Sequence, residues 1–175
     1  MNGTNLGASA MGFGEAIRAC FGKYAVFNGR ARRSEYWYFV LFGIIVGMVT
    51  NTADAIISGA SSGAVPAPIS SIASLALMLP QLSVNVRRLH DTNRSGWWIG
   101  GFYLYLIGAV IVGVALFATS GERGFDDIRV VVGIVIFALS TFAYMVLLIV
   151  FTVLPGTHGT NRYGPDPKAP DVDVF

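Results

Sequence analysis

Long runs of hydrophobic residues dominate this sequence, and four of them are long enough, or nearly so, to cross a membrane as helices. They extend over about residues 36–57, 69–86, 97–119 and 130–154. A helix needs about 20 mostly apolar residues to span the hydrocarbon core of a bilayer. The second run is the weakest because it is shorter and contains several serines. It also contains Pro80, which should kink it, since proline removes one backbone hydrogen bond. The pattern predicts an all-α integral membrane protein with four transmembrane helices.

Composition agrees with a membrane protein. Hydrophobic residues make up 54% of the 175 residues and charged residues only 13%, whereas soluble domains carry about 25% charged residues. The alternative is a bundle of buried helices in a water-soluble protein, but the four hydrophobic runs leave no polar face for contact with solvent. Asp54, near the end of the first run, is the only charged residue in the four runs.

The basic residues predict the orientation of the helices. Ten of the twelve lysines and arginines fall before the first run, between the second and third runs, or after the fourth run. The other two, Arg123 and Arg129, lie between the third and fourth runs, among acidic residues. Because basic residues favour the cytoplasmic side, both termini are predicted to be cytoplasmic. Residues 1–12 contain no basic residue and no long apolar run, so the first span is expected to act as the insertion signal.

Residues 1–28 are predicted to form an N-terminal segment with a short amphipathic helix. Its apolar face contains Phe13, Ile17, Cys20, Phe21, Tyr24 and Phe27, and its polar face contains Glu15, Arg18, Gly22 and Lys23. Such a helix either lies in the membrane interface, with its basic groups near anionic headgroups, or packs against the ends of the spans. Cys20, the only cysteine, is expected to act as a small apolar residue.

The membrane domain is predicted to extend over residues 29–167. It ends in an irregular cytoplasmic tail motif that is rich in glycine and proline, and residues 168–175 are expected to be frayed. Two pairs of small residues four positions apart, Gly43 with Gly47 and Ala109 with Gly113, favour close helix packing within the membrane. The sequence leaves the oligomeric state open.

Three polar motifs flank the spans, and the second of them is predicted to form the loop between the second and third runs. They cover residues 29–37 (GRARRSEYW), 87–98 (RRLHDTNRSGWW) and 155–167 (PGTHGTNRYGPDP). Together they resemble the bacterial family known as domain of unknown function 805. The resemblance extends from about Tyr24 to Lys168. It implies a location in the bacterial inner membrane and a multi-pass helical fold, but no activity, because the family has no assigned role.

All three motifs fall on the cytoplasmic side of the predicted topology, so their polar residues are expected to form one cluster. The cluster comprises Arg30, Arg32, Arg33, Glu35, Arg87, Arg88, His90, Asp91, Arg94, Asn161, Arg162 and Asp166. In a structural interpretation the arginines anchor the helices, Glu35, Asp91 and Asp166 pair with them, and Asn161 shapes the turn after the fourth span. In a functional interpretation the arginines leave a positive pocket for an anion, such as a lipid headgroup or the acidic segment of a partner.

The sequence favours a non-enzymatic interaction, scaffold or envelope-associated protein. It contains no His-Glu-x-x-His and no phosphate-binding loop, and we predict no catalytic residue, cofactor, metal or nucleic-acid partner. A metal site formed by His90, Asp91 and His158 matches no known ligand spacing. The alternatives are a small transporter or channel component, for which Asp54 is the candidate charge, and a membrane enzyme acting on an anionic lipid. The expected partners are the bilayer, its anionic headgroups and another protein.

Overall fold

The structure, a computed structural model, describes residues 11–60 and 68–169, and within these ranges the regular elements are helices. The helices are α1 (Phe13–Gly22), α2 (Arg33–Ala60), α3 (Pro68–Asp91), α4 (Trp97–Thr119) and α5 (Ile128–Val153). A 3₁₀ segment, Gly121–Asp126, connects α4 to α5. Residues 1–10 and 170–175 lie outside the described part, and so does most of the segment that we predicted to be frayed.

Helices α2 to α5 are each long and apolar enough to cross a membrane, which confirms the four predicted spans. Helix α4 has the predicted bounds, and α2 and α5 begin slightly earlier than predicted. Helix α3 differs, because it continues through Asp91 instead of ending near Val86. The prediction that residues 87–91 form a loop was therefore wrong. Their charged side chains do not need a solvated loop, because they are buried against partners from other segments.

The spans expose apolar side chains instead of burying them. Helix α4 has no buried residue, and Leu104 and Val114 expose 62% and 65% of their surface. So large an apolar surface would be unfavourable in water, whereas hydrocarbon tails cover it readily.

The chain divides into two compact units. The first contains the described residues up to Asn93 together with those from Pro155 onward, and therefore contains α1, α2, α3 and the C-terminal tail. The second extends from Arg94 to Leu154 and contains α4, the 3₁₀ segment and α5.

In the first unit, α1 packs against α2 and α3. The fully buried side chains at this contact are those of Cys20, Ala31, Phe39 and Val84. The Phe21 ring lies edge-on to the Phe39 ring, with 5.7 Å between the ring centroids. Such aromatic pairs add to the stabilisation from burial alone. These contacts match the interpretation in which α1 packs against the spans. The position of α1 relative to the bilayer surface stays a prediction.

Asp54 lies at the junction of α2 and α3, where its side chain caps the N-terminus of α3. It accepts hydrogen bonds from the backbone amides of Ile69 at 3.2 Å and Ser70 at 2.8 Å. These amides have no partner within the helix, and a carboxylate also interacts favourably with the positive end of the helix dipole. The one charged residue in the four predicted runs thus has a structural partner.

The second unit is a helical hairpin held by aromatic contacts. The Tyr144 hydroxyl donates to the Trp98 carbonyl oxygen at 2.9 Å, and the Trp98 and Phe151 ring centroids are 5.3 Å apart. At the opposite end Asp127 caps α5 by accepting from the Arg129 backbone amide. Hydrogen bonds from the Arg129 side chain and amide lower the pKa of Asp127 to about 2.

Candidate functional site

Arg30 is the centre of a buried polar cluster in the first unit. It precedes α2 and is only 6% exposed. Its Nε donates to Asp91 Oδ1 at 2.9 Å, its Nη1 to the Gly159 carbonyl oxygen at 2.5 Å, and its Nη2 to the Thr157 carbonyl oxygen. One guanidinium therefore joins the segment before α2, the end of α3 and the C-terminal tail. Arginine suits this position because its donors have a fixed planar arrangement.

Asp91 is the acceptor at which all three motifs meet. Its carboxylate pairs with Arg30 and with Arg88, both of which are buried. Its backbone carbonyl, at the C-terminal end of α3, accepts from the Thr157 amide at 2.8 Å and from the Thr157 hydroxyl at 3.1 Å. The last carbonyls of a helix lack partners within the helix, so the tail satisfies one of them.

Gly156 allows the tail to approach Asp91 this closely. A Cβ atom added at this glycine would overlap the Asp91 carboxylate, with Cγ of Asp91 only 2.6 Å away. Any other residue would have to displace a buried carboxylate that already binds two arginines. Gly156 is therefore required by close packing.

A third buried ion pair joins α2 to α3. Arg87 is fully buried, and its Nη1 donates to Glu35 Oε1. Its Nε and Nη2 have no hydrogen-bond partner among the described residues. The Cys20 sulfur lies 3.9 Å from Glu35 Oε1. Burial, and then the nearby Glu35 carboxylate, raise the pKa of the Cys20 thiol to about 12, so the thiol stays protonated.

The tail continues along the end of α3 after Thr157. Asn161 Nδ2 donates to the His90 carbonyl oxygen at 2.9 Å, and the Tyr163 ring stacks on the His90 ring at 3.8 Å. Arg162 Nη2 donates to the Asn93 carbonyl oxygen at 3.1 Å. Asn93 lies in the turn that follows α3 and has a positive φ of 59°. Glycine and asparagine adopt this conformation most readily.

The other predicted cluster residues have different surroundings. Arg32 Nε donates to the Pro167 carbonyl oxygen, and Arg33 is half-buried in the first turn of α2. Arg94 lies in the second unit, where its guanidinium is 4.0 Å from the centroid of the Phe151 ring. Asp166 accepts from the backbone amides of Lys168 at 2.9 Å and Gly159 at 3.2 Å. These bonds, led by the one from Lys168, lower the pKa of Asp166. The hydrogen bonds of Asp166 therefore join it to the tail backbone.

The structure thus brings residues of all three motifs together. Two of the three acids, Asp91 and Glu35, pair with arginines as in the structural interpretation. Arg30 and Arg88 pair with Asp91, and Arg87 pairs with Glu35. Within residues 11–60 and 68–169, no group of three histidine, cysteine or acidic side chains is placed to hold a metal ion. Sequence reasoning missed Gly156, Thr157 and Cys20 as members of this cluster. The first two lie inside the tail motif, but residue type alone does not reveal their contact with Asp91.

Comparison with known proteins places the chain in a family. The sequence profile described as "Protein of unknown function (DUF805)" matches residues 24–165. The chain belongs to the DUF805 family. This confirms the resemblance seen in the three motifs, and the matched region includes the buried ion pairs of Arg30, Arg87 and Arg88.

Two relatives of this DUF805 protein come from Escherichia coli strain K12. "Inner membrane protein YhaH" is 33% identical over 145 residues, which cover 83% of this chain and 89% of that protein. "Inner membrane protein YhaI" is 34% identical, again over 83% of this chain, and over 88% of that protein. No solved structure gives a significant match to the chain. The family membership and the four apolar helices show a multi-pass membrane protein of a family whose function is unknown.

Proposed function

We propose that this DUF805 protein is a non-enzymatic interaction protein of the bacterial inner membrane, with the C-terminal tail as its recognition element. The observation that supports this most is the set of bonds made by Arg30, which hold the tail against α2 and α3 through Gly159, Thr157 and Asp91. A tail held by buried charges keeps one defined surface. Such a surface is suited to binding another protein.

The buried charges themselves serve to hold this arrangement. Breaking a buried ion pair typically costs about 3–5 kcal/mol, because it leaves one charge without compensation. Arg87 and Arg88 are fully buried and Arg30 nearly so, and their carboxylate partners are also buried. The proposed recognition surface is therefore the exposed side of the tail, which contains His158, Thr160, Arg162 and Lys168.

We further propose that both termini and this surface face the cytoplasm. The ten-to-two distribution of basic residues supports this orientation. The first unit adds support, because the Ala31 amide donates to the Arg87 carbonyl oxygen at 3.1 Å. The basic segment before α2 and the basic end of α3 therefore share one end of the unit. Reporter fusions at both termini and after Asn93 should all read as cytoplasmic, and an external signal at any of them would contradict the proposal.

In this orientation α1 is proposed to lie at the inner leaflet. It exposes Phe13 and Phe21 together with the basic Arg18 and Lys23, a combination suited to apolar lipid beside anionic headgroups. A spin label attached through Gly14→Cys, in a chain that also carries Cys20→Ala, should be shielded from a water-soluble nickel chelate. The matched control is the same label attached through Thr160→Cys in the exposed tail. Equal exposure of both labels to the chelate would contradict the interfacial location.

The recognition role is tested by affinity purification. The protein is cross-linked in its native membranes, then extracted into nanodiscs and purified. The parent chain should capture a reproducible protein partner, and Gly156→Ala, which displaces the tail, should lose that partner. Gly47→Ala is the control, because a Cβ atom there meets no atom within 4 Å. Equal capture by Gly156→Ala, or a bound small molecule with no protein partner, would contradict the proposal.

A further inference from the structure

Gln81 places an uncharged polar side chain near the middle of the membrane-spanning helix α3. This helix extends from Pro68 to Asp91, so Gln81 lies about 15 to 20 Å from either end at a rise of about 1.5 Å per residue. The hydrocarbon core of a bilayer is about 30 Å thick. Gln81 therefore lies at a depth where no water is available to its amide.

The side-chain amide of Gln81 has no hydrogen bond to any residue within 11–60 or 68–169. It lies beside α2, where its Oε1 would be 4.0 Å from a Cβ atom added at Gly43, and glycine has no side chain to offer. A carboxamide carries two N–H donors and a carbonyl acceptor, and leaving them unpaired in hydrocarbon is unfavourable. Gln81 is half-buried and not enclosed, so a polar group of another molecule can reach it.

Gln81 belongs to a stripe along one side of α3. Four residues follow one another at intervals of four, three and four positions: Ser74, Met78, Gln81 and Asn85. This is the spacing that keeps one side of a helix in contact with a parallel partner helix. At about 100° per residue, the three polar members lie within about 40° of one another around the helix axis. Ser74 and Met78 are exposed, so the stripe is open to a partner.

A second copy of this chain supplies the matching partner for this stripe. All copies insert with the same orientation, because they carry the same distribution of basic residues. A two-fold axis along the membrane normal then places each residue of α3 opposite itself, at the same depth. Two glutamine amides that face each other can exchange two hydrogen bonds, since each has both a donor and an acceptor. Such polar pairs join helices within membranes and fix their register.

We propose that α3 pairs with α3 of a second copy through Ser74, Met78, Gln81 and Asn85. The two Gln81 amides bond to each other at the centre of this contact. The pairing is independent of the recognition role proposed for the tail, because it uses the membrane-spanning part of α3.

Disulfide cross-linking in native membranes tests the contact. In a chain that carries Cys20→Ala, Ser74→Cys should form a disulfide-linked dimer when a copper–phenanthroline oxidant is added. Ile72→Cys is the matched control, because Ile72 is 68% exposed and lies at nearly the same depth, but about 160° around the helix from Ser74. This control should stay monomeric. Equal cross-linking of both variants would overturn the proposal, and so would a Ser74→Cys product that mass spectrometry identifies as a link to a different protein.

Energy transfer between labelled copies in liposomes tests the role of Gln81. Donor and acceptor dyes are attached through Thr160→Cys in the Cys20→Ala background, and the protein-to-lipid ratio is varied. Gln81→Leu should raise the dissociation constant of the dimer about tenfold, the size expected for lost hydrogen bonds between membrane helices.

Thr52→Val in α2 is the control for Gln81→Leu. The Thr52 hydroxyl already donates to the Met48 carbonyl oxygen of its own helix at 2.8 Å, so its loss should leave association unchanged. The melting temperatures of both variants show whether they are folded. Absence of energy transfer in the parent chain at every ratio, or equal association of the parent chain and folded Gln81→Leu, would overturn the proposal.

Discussion

The Tyr24 hydroxyl donates a 2.6 Å hydrogen bond to the Ala76 carbonyl oxygen. Ala76 lies four residues before Pro80, so its carbonyl is the one left without a helical partner, because proline has no N–H. Within a membrane no water is available to satisfy such a group. Tyr24 therefore supplies the donor that Pro80 lacks, and α3 continues through the proline as one helix.

Tyr24→Phe should therefore destabilise the protein by about 1–3 kcal/mol, because it leaves a carbonyl of a membrane-spanning helix without a donor. The measurement is thermal or denaturant unfolding in one detergent. In a Pro80→Ala background the helix regains its own N–H, so the same substitution should cost much less. Tyr103→Phe in α4 is the control, because Tyr103 is largely exposed. Equal costs in the two backgrounds would show that the Tyr24 hydroxyl does not compensate for Pro80.

Gly156→Ala should displace the tail from Asp91, since the added methyl group overlaps a buried carboxylate. Overpacking of this kind typically costs about 1–3 kcal/mol. The displaced tail should be cut by protease faster than in the parent chain, with the cut sites identified by mass spectrometry. Gly14→Ala, where a Cβ atom has no close neighbour, should leave the cutting rate unchanged. Unchanged cutting of the Gly156→Ala tail would mean that the tail does not contact Asp91.

Glu35→Gln should strongly destabilise the protein, by about 3–5 kcal/mol, because it leaves the buried Arg87 charge without its partner. Combining Glu35→Leu with Arg87→Met removes both charges and should recover most of this loss. An exposed pair gives the comparison, since Arg129 is 59% exposed in its pair with Asp127, and Arg129→Gln should cost far less than Glu35→Gln. If Glu35→Gln costs no more than Arg129→Gln, the Arg87–Glu35 pair is not buried as described.

Cys20 should resist alkylation in the folded protein well above pH 9, because its pKa is raised to about 12 and only the thiolate reacts readily. The group binds its proton more tightly when folded, so its contribution to stability is complete below the unfolded pKa near 9. That contribution then declines as the pH rises from 9 toward 12. Mass spectrometry after iodoacetamide treatment measures the reaction. Thr160→Cys, in the exposed tail, should react quickly under the same conditions, and equal rates would show that Cys20 is accessible.

The spans were predictable from sequence because their hydrophobic runs match the thickness of a membrane. The meeting of the three motifs was also predictable, because the basic residues in all of them indicate one side. The continuation of α3 through Arg87–Asp91 was not. Local sequence shows only that these residues are charged, whereas the groups that neutralise them are far away in the chain. Arg30 lies 61 residues from Asp91, and Glu35 lies 52 residues from Arg87. The contact of Tyr24 with Ala76 was missed for the same reason.

Arg30 also has a consequence for the order in which the protein is completed during synthesis. The ribosome makes Arg30 early, whereas two of its acceptors, the carbonyls of Thr157 and Gly159, are made 127 and 129 residues later. Until the end of the chain emerges, this guanidinium has Asp91 as its acceptor but lacks the tail. The hydrogen bonds from Arg30 to the tail therefore form only when translation is nearly finished. A chain truncated before Thr157 should lack them, and membrane proteases should degrade it faster than the full chain.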